Sequence, residues 1–175
     1  MNFLNFSEVF SPIQLLAWAA ALVYFISYQR QSSSKTIILW APADILMALH
    51  FYFMNAPLFM LTALGGTIRS LMAIYAPRKA LGIYLVLYIL ALIAVFPFIG
   101  DGLKDYIAVA GTTFFCFSVW FKENFLAHRF FAFMHQISWI IAFILLGSYG
   151  GLALISVMFF SNIIGTGRYI LKQRS

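Results

Sequence analysis

Seven apolar stretches divide this sequence, and the residues between them are too few to build a soluble domain. They run from Pro12 to Tyr28, Thr36 to Met54, Pro57 to Tyr75, Leu81 to Ile99, Asp105 to Phe121, Leu126 to Leu146 and Gly150 to Leu171. Each comes close to the ~20 residues that an α-helix needs to cross a hydrocarbon layer of about 30 Å. Each also ends where polar residues or Gly and Pro cluster, as at Asn55-Ala56-Pro57, Pro77-Arg78-Lys79, Gly100-Asp101-Gly102, Lys122-Glu123-Asn124 and Gly147-Ser148. Such clusters punctuate helices. Only 9% of the chain is charged, against 63% hydrophobic, whereas a soluble domain carries roughly a quarter charged residues. The expectation is an all-α membrane protein of seven transmembrane helices, forming a single integral domain over residues 1–175.

Charge sets the expected orientation. Arg30, Lys35, Arg78, Lys79, Lys122, Arg129, Lys172 and Arg174 fall on the connections after the first, third, fifth and seventh helices. On the other side Lys104 stands alone beside Glu8, Asp101 and Asp105. Positive residues concentrate in the cytoplasm, so the N-terminus is expected outside and the C-terminus inside. Arg168 lies near enough to the cytoplasmic end of its helix to snorkel. The net charge of +6 is explained by this scatter between apolar runs, and no basic face points to nucleic acid. The segment Met1 to Phe10 lacks the basic region of a cleavable signal peptide. Cys116, the single cysteine, has neither a disulfide partner nor a metal-ligand spacing and is expected to be packing.

An internal repeat is visible in the layout. One constant offset carries Arg30 onto Lys122, Asp44 onto Gln136 and the Asn55-Ala56 turn onto Gly147-Ser148, without a gap. The likeness of Gly66-Thr67-Ile68-Arg69 to Gly165-Thr166-Gly167-Arg168 needs a longer offset, two helical turns out of register, and is accidental. The plan expected is 3+1+3: a first repeat over about 12–79, a linker helix over about 81–99, and a second, parallel repeat over about 105–172. Transporters built from repeats hold their substrate near the membrane midplane, between the repeats.

Few polar side chains lie deep in these helices. An Asp or Arg at a helix centre costs about 2.5–3.5 kcal/mol on insertion scales, so each needs a reason. With a rise of 1.5 Å per residue, Asp44 lies roughly 12 Å in from the cytoplasmic side, and Arg69 roughly as far from the inner face. An ion pair between them is feasible. His135-Gln136 and Asn162 fall at about the same level. Two readings stand for this layer. In one, Asp44 and Arg69 clamp the fold by neutralising each other, while His135 and Asn162 bond neighbouring helices. In the other, the layer lines a substrate cavity: Arg69 takes an anionic or hydroxyl group, Asp44 orients it, Gln136 and Asn162 supply hydrogen bonds, His135 carries a proton and Trp139 walls the pocket. His50, near the outer end of its helix, is expected to be interfacial. Pro42 is a hinge or a static bend. Gly65-Gly66 and Gly150-Gly151 are expected to allow close helix contact.

The segments ADILMALHFYFMNAP, LGGTIRSLMAI and GSYGGLALISVMFFSNIIGTGRYIL resemble the bacterial inner-membrane YgjV family, over nearly the whole chain. The resemblance implies location in the inner membrane and brings no assigned chemistry. Gly66 departs from the relatives, which carry Asn three residues before the arginine. The layout is also similar to the SWEET and PQ-loop transporters, whose asparagines on helices 3 and 7 would correspond to the Arg69-Ser70 region and to Asn162; a clear Pro-Gln dipeptide is missing. A sugar-like or small polar or anionic solute is the substrate class this analogy implies. The competing expectation is a non-transporting membrane subunit or assembly factor with a structural polar layer. No HExxH, GxSxG or phosphate loop is present, and His50 and His135 differ in depth, which does not suit a haem. No enzyme activity, cofactor or metal is expected. The expected partners are the lipid bilayer and a small solute, with homo-oligomerisation left open.

Overall fold

A computed structural model describes residues 11–28 and 33–174. Among them are seven helices and no strands: α1 (Pro12–Tyr28), α2 (Ser33–Phe53), α3 (Pro57–Tyr75), α4 (Arg78–Ile99), α5 (Leu103–Trp120), α6 (Phe125–Leu146) and α7 (Tyr149–Arg174). The bounds of α1 and α3 are those expected from the apolar runs, and the others shift by a few residues. The readings placed on Met1 to Phe10 and Arg30 lie outside the described residues, as do the side chains of Lys35, Arg168, Lys172 and Arg174.

Local chemistry accounts for the helix ends. Pro57 occupies the first turn of α3, where its missing N–H leaves nothing unsatisfied. The Asn124 side chain caps α6 by accepting from the Ala127 N–H at 3.1 Å. The α2–α3 and α6–α7 turns share one geometry. Asn55 and Gly147 both have positive φ, 52° and 72°. Ala56 N–H donates to Phe51 O at 3.0 Å, and Ser148 N–H to Phe143 O at 3.1 Å. Asn55 N–H then reaches Tyr52 O, and Gly147 N–H reaches Ile144 O. This is the Schellman pattern, which uses a left-handed residue to satisfy the last carbonyls of a helix. The two turns stand at the offset read from the sequence.

Among the described residues, length and apolarity qualify four helices to cross a membrane: Pro57–Tyr75, Arg78–Ile99, Phe125–Leu146 and Tyr149–Leu171. The described side chains of α1 and α2 are apolar over Pro12–Ile26 and Ile38–Phe53. The first turn of α5 carries Lys104 and Asp105, which dilute its apolarity. Asp101, in the loop before α5, is held below the usual carboxylate range by a hydrogen bond and the charge of Lys104.

The helices close into a ring. Neighbours in sequence pack together from α1 to α4 and from α5 to α7; α7 closes onto α1, and α3 packs on α5. Helix α4 stands outside, against α3 and α5, with Ile83, Val86, Leu87, Leu90 and Ile93 all more than half exposed. Such an apolar outer face suits lipid. Tyr84 and Tyr88 fasten α4 inward by donating to the backbone carbonyls of Gly65 and Thr62, at 2.6 and 2.8 Å. The main core fills the ring and draws on α1, α2, α3, α5, α6 and α7.

Glycine permits the closest approaches. A Cβ on Gly150 would lie 2.6 Å from Ala17 Cβ and 3.1 Å from Gln14 O, so α7 touches the backbone of α1. The two helices are tied there as well. Gln14 Nε2 donates to Gly147 O at 3.3 Å, and Gln14 Oε1 accepts from Gly150 N–H at 3.1 Å. His50 is fully buried in the same region, not interfacial as expected. Its Nδ1 lies 2.8 Å from Ile13 O and its Nε2 2.8 Å from Ser148 Oγ. A carbonyl only accepts, so Nδ1 donates and Nε2 accepts from the hydroxyl. His50 thus joins α1, α2 and α7.

Candidate functional site

At the centre of the ring is a cavity of about 70 Å³. Every helix except α4 contributes to its lining, and the polar groups come from both chain halves. Tyr24 enters from α1, Asp44 from α2, Thr62 and Arg69 from α3, Thr112 from α5, and His135 and Trp139 from α6. Phe51, Phe115 and Phe143 supply the aromatic part of the wall. Phe51 and Phe143 stack with centroids 6.0 Å apart, and Trp139 packs on both. The offset that relates the two Schellman turns also relates Phe51 to Phe143 and Met47 to Trp139, all of them in the lining.

Asp44 and Arg69 are buried, 7% and 6% exposed, and close to each other. A Cβ on Gly66 would lie 2.8 Å from Asp44 Oδ2 and 3.3 Å from Arg69 Nη2, so the glycine makes the room in which both sit. The ion pair anticipated between them is not formed. The Asp44 Oδ1 atom accepts from the Tyr24 hydroxyl, and the Arg69 guanidinium lies over the Phe115 ring, 4.1 Å from its centroid. Each charge is engaged elsewhere. Asp44 Oδ2 has no hydrogen-bond partner among the described residues, and neither does Trp139 Nε1. Most buried polar atoms are paired; these two are exceptions, enclosed by the packing at Gly66 and Gly111 and not open to the cavity.

His135 donates from Nδ1 to Gly111 O at 3.0 Å, a carbonyl being unable to donate. In the neutral ring Nε2 is then the acceptor. Gly111 allows this approach: a Cβ there would lie 2.8 Å from Trp139 Cδ1 and 2.9 Å from Ser138 Cβ. Phe115 stacks on the other side of His135, at 4.4 Å.

The polar level expected from the sequence therefore divides in two. Asp44, Arg69, His135 and Trp139 meet on the cavity. Gln136 and Asn162 do not line it. Asn162 Nδ2 donates to Gln136 Oε1 at 3.1 Å and to Arg129 O at 3.3 Å, while Asn162 Oδ1 accepts from Arg129 Nη1 at 3.0 Å. Consecutive helical residues project about 100° apart, so His135 and Gln136 cannot share one target. Arg129 and Gln136 are two turns apart and do share a face. Arg129, expected in the cytoplasmic loop, is instead part of this α6–α7 cluster. Three polar members of the cavity, Tyr24, Thr62 and Thr112, were not singled out by sequence. Tyr24 reads as an ordinary aromatic until α1 packs on α2, and Thr112 is one threonine in a Gly-Thr-Thr run.

Among the described residues no group of three or more His, Cys, Asp or Glu could hold a metal ion. No curated protein and no solved structure matches the chain. A family model, Imp-YgjV, described as a bacterial inner membrane protein, matches residues 12–173. That span takes in all seven helices and the whole cavity wall, and the chain belongs to the Imp-YgjV family of bacterial inner membrane proteins.

Proposed function

We propose that this chain is a multi-pass transporter of a small polar solute, with its seven helices arranged as two parallel three-helix repeats joined by α4. The N-terminus is outside and the C-terminus cytoplasmic, and no enzymatic step is involved. The observation that carries this reading is the central cavity between the halves, lined by the buried Asp44 and Arg69 together with His135. A polar group deep in a bundle is costly and faces a pathway more often than lipid. The matched turns at Asn55 and Gly147 support the repeat, and the outer position of α4 supports its role as linker. A cavity between repeats is where substrate sites of such proteins lie.

Purified full-length protein in proteoliposomes, assayed against polar and anionic solutes, tests the proposal. Solute-specific uptake should appear and should fall several-fold in D44N. If no solute moves, the transport reading fails. A second reading, a non-transporting membrane subunit, is favoured by the Gln136–Asn162–Arg129 cluster, whose bonds are made within the chain. It expects a stable partner on co-purification and no flux.

A further inference from the structure

We propose that the central cavity binds a small monocarboxylate anion together with one proton, the carboxylate on Arg69 and Thr112 and the proton on Nε2 of His135. This rests on the transport reading above and narrows its substrate.

The two buried charges of the wall do not face the cavity equally. Asp44 Oδ1 is taken by the Tyr24 hydroxyl, and Oδ2 is enclosed. The Arg69 guanidinium rests on the Phe115 ring. That contact engages its charge through the ring face and gives its five N–H donors no acceptor oxygen. Apart from the Cys116 thiol, no group among the described residues accepts from them, and the guanidinium is not enclosed as Asp44 Oδ2 is. The cavity therefore meets a cation and not its counter-ion.

Two more groups of the lining are in the same condition. Thr112 Oγ1 and His135 Nε2 have no hydrogen-bond partner among the described residues, and neither atom is enclosed. Nδ1 of the His135 ring donates to Gly111 O, so Nε2 of the neutral ring carries the lone pair. Guanidinium and hydroxyl together offer donors to an anion. A carboxylate, planar with two oxygens, matches the guanidinium fork. Most of the remaining lining is apolar, with Met47, Phe51, Phe143, Leu154, Ile155 and Met158. That suits a short carbon chain behind the carboxylate, and a multiply charged anion finds no second fixed cation there.

Charge balance then calls for the proton. Asp44 already offsets Arg69, so an anion entering alone would leave an unpaired buried charge, which is strongly disfavoured. A proton restores neutrality, and His135 Nε2 is the lone pair placed to take it. The charged and titratable groups about the ring are Arg69 from α3, Asp44 from α2 and Tyr24 from α1; α5 presents Thr112, Phe115 and the Gly111 carbonyl, and α7 presents apolar side chains. Arg129, on α6 itself, is held in the Asn162 cluster. Alone, a proton on Nε2 would set a second cation beside Arg69 with no acceptor. With the anion, imidazolium and guanidinium hold the carboxylate between them. Anion and proton each favour the other, which is coupling.

Full-length protein in detergent, titrated at constant ionic strength with sodium formate, pyruvate and butyrate, tests the site through its melting temperature, which a ligand of the folded state raises. The carboxylates should raise it; sodium chloride and the neutral acetamide should not. The apparent affinity for pyruvate, itself ionised throughout, should increase several-fold from mildly alkaline to mildly acidic pH. R69K keeps the charge and loses the fork, and T112V removes the hydroxyl and keeps the shape. Each should weaken binding several-fold while melting near the wild-type temperature without ligand. H135N keeps a donor for Gly111 O and removes Nε2, so its binding should be weaker and no longer vary with pH. In proteoliposomes, labelled pyruvate should accumulate under an inward proton gradient, and not when a protonophore collapses it. No response to the carboxylates, or an equal response to chloride or acetamide, overturns the ligand class, and flux of a neutral solute in the same vesicles would leave the transport reading standing. Pyruvate binding weakened in R69K and T112V, with no flux of any solute, upholds the site and sinks the transport reading. Binding unchanged in both variants overturns the site. Binding that ignores pH in the wild type overturns the proton, and a pH dependence that survives in H135N overturns its place on His135.

Discussion

Gly66 shows how much one missing side chain decides. Its absent Cβ is the space in which Asp44 Oδ2 and Arg69 Nη2 lie. Asp44 is short and its other oxygen is held by Tyr24, so it cannot swing clear. G66A therefore sets a helix-propensity gain of up to about 1 kcal/mol against overpacking of typically about 1–3 kcal/mol, and the second wins. Gly167 is the control: a Cβ there meets nothing within 4 Å, and only the propensity gain remains. In detergent, the apparent melting temperature of G66A should fall and that of G167A should rise. A shift of about 2–4 °C per kcal/mol is expected for a chain of this size. Equal shifts for the two would show that Gly66 is ordinary helix packing. The sequence marked Asp44, Arg69 and His135 because charge and imidazole are rare in an apolar run. It did not mark Tyr24, because a tyrosine in such a run has many ordinary reasons to be there. Its role depends on which way α1 faces. His50 was misplaced for a similar reason: a position near a helix end says nothing about a ring closing over it.

The two turns carry the clearest signal among the elements. Asn55 and Gly147 take the same left-handed backbone for the same cap, yet one is an asparagine. Asparagine tolerates this region better than most residues, and glycine better still. N55G should thus be neutral or stabilising. G147V, a β-branched residue in the same conformation, should cost at least about 1–2 kcal/mol. Thermal unfolding of both variants, followed by helix circular dichroism, checks the pair. An unchanged G147V would argue that the turn relaxes into another form, and with it that the matched geometry carries little weight. Helix ends were largely legible in the sequence because Pro, Gly and Asn act locally: α1 and α3 end where the apolar runs do. The facing of α6 was less so. Depth along a helix put His135, Gln136 and Asn162 at one level, and depth ignores rotation. A helical projection separates His135 from Gln136, but which face meets the cavity is fixed only when α5 and α7 pack against it.

For the whole molecule, ring closure is tertiary information, and the sequence carried only its consequences. Lys122 Nζ reaches Ala73 O at 3.4 Å, and Arg78 pairs with Glu123 at 2.8 Å, so the end of α3, the start of α4 and the end of α5 share one pole. Lys104 and Asp101 sit together at the other, 2.5 Å apart. Exposed pairs of this kind add little stability; what distinguishes the poles is the surplus of cations at the first. On the positive-inside bias we propose that this pole is the cytoplasmic one. Cysteine labelling decides the matter cleanly, because the lone native cysteine, Cys116, is buried and can be removed as C116A. In that background N55C and K104C should react with a membrane-impermeant maleimide added to intact cells. K79C and E123C should react only after permeabilisation. Labelling of all four from outside, or of the second pair alone, would reverse or break the orientation. A split between N55C and K104C would mean that α3 and α4 do not both cross, which would remove the linker on which two parallel repeats depend.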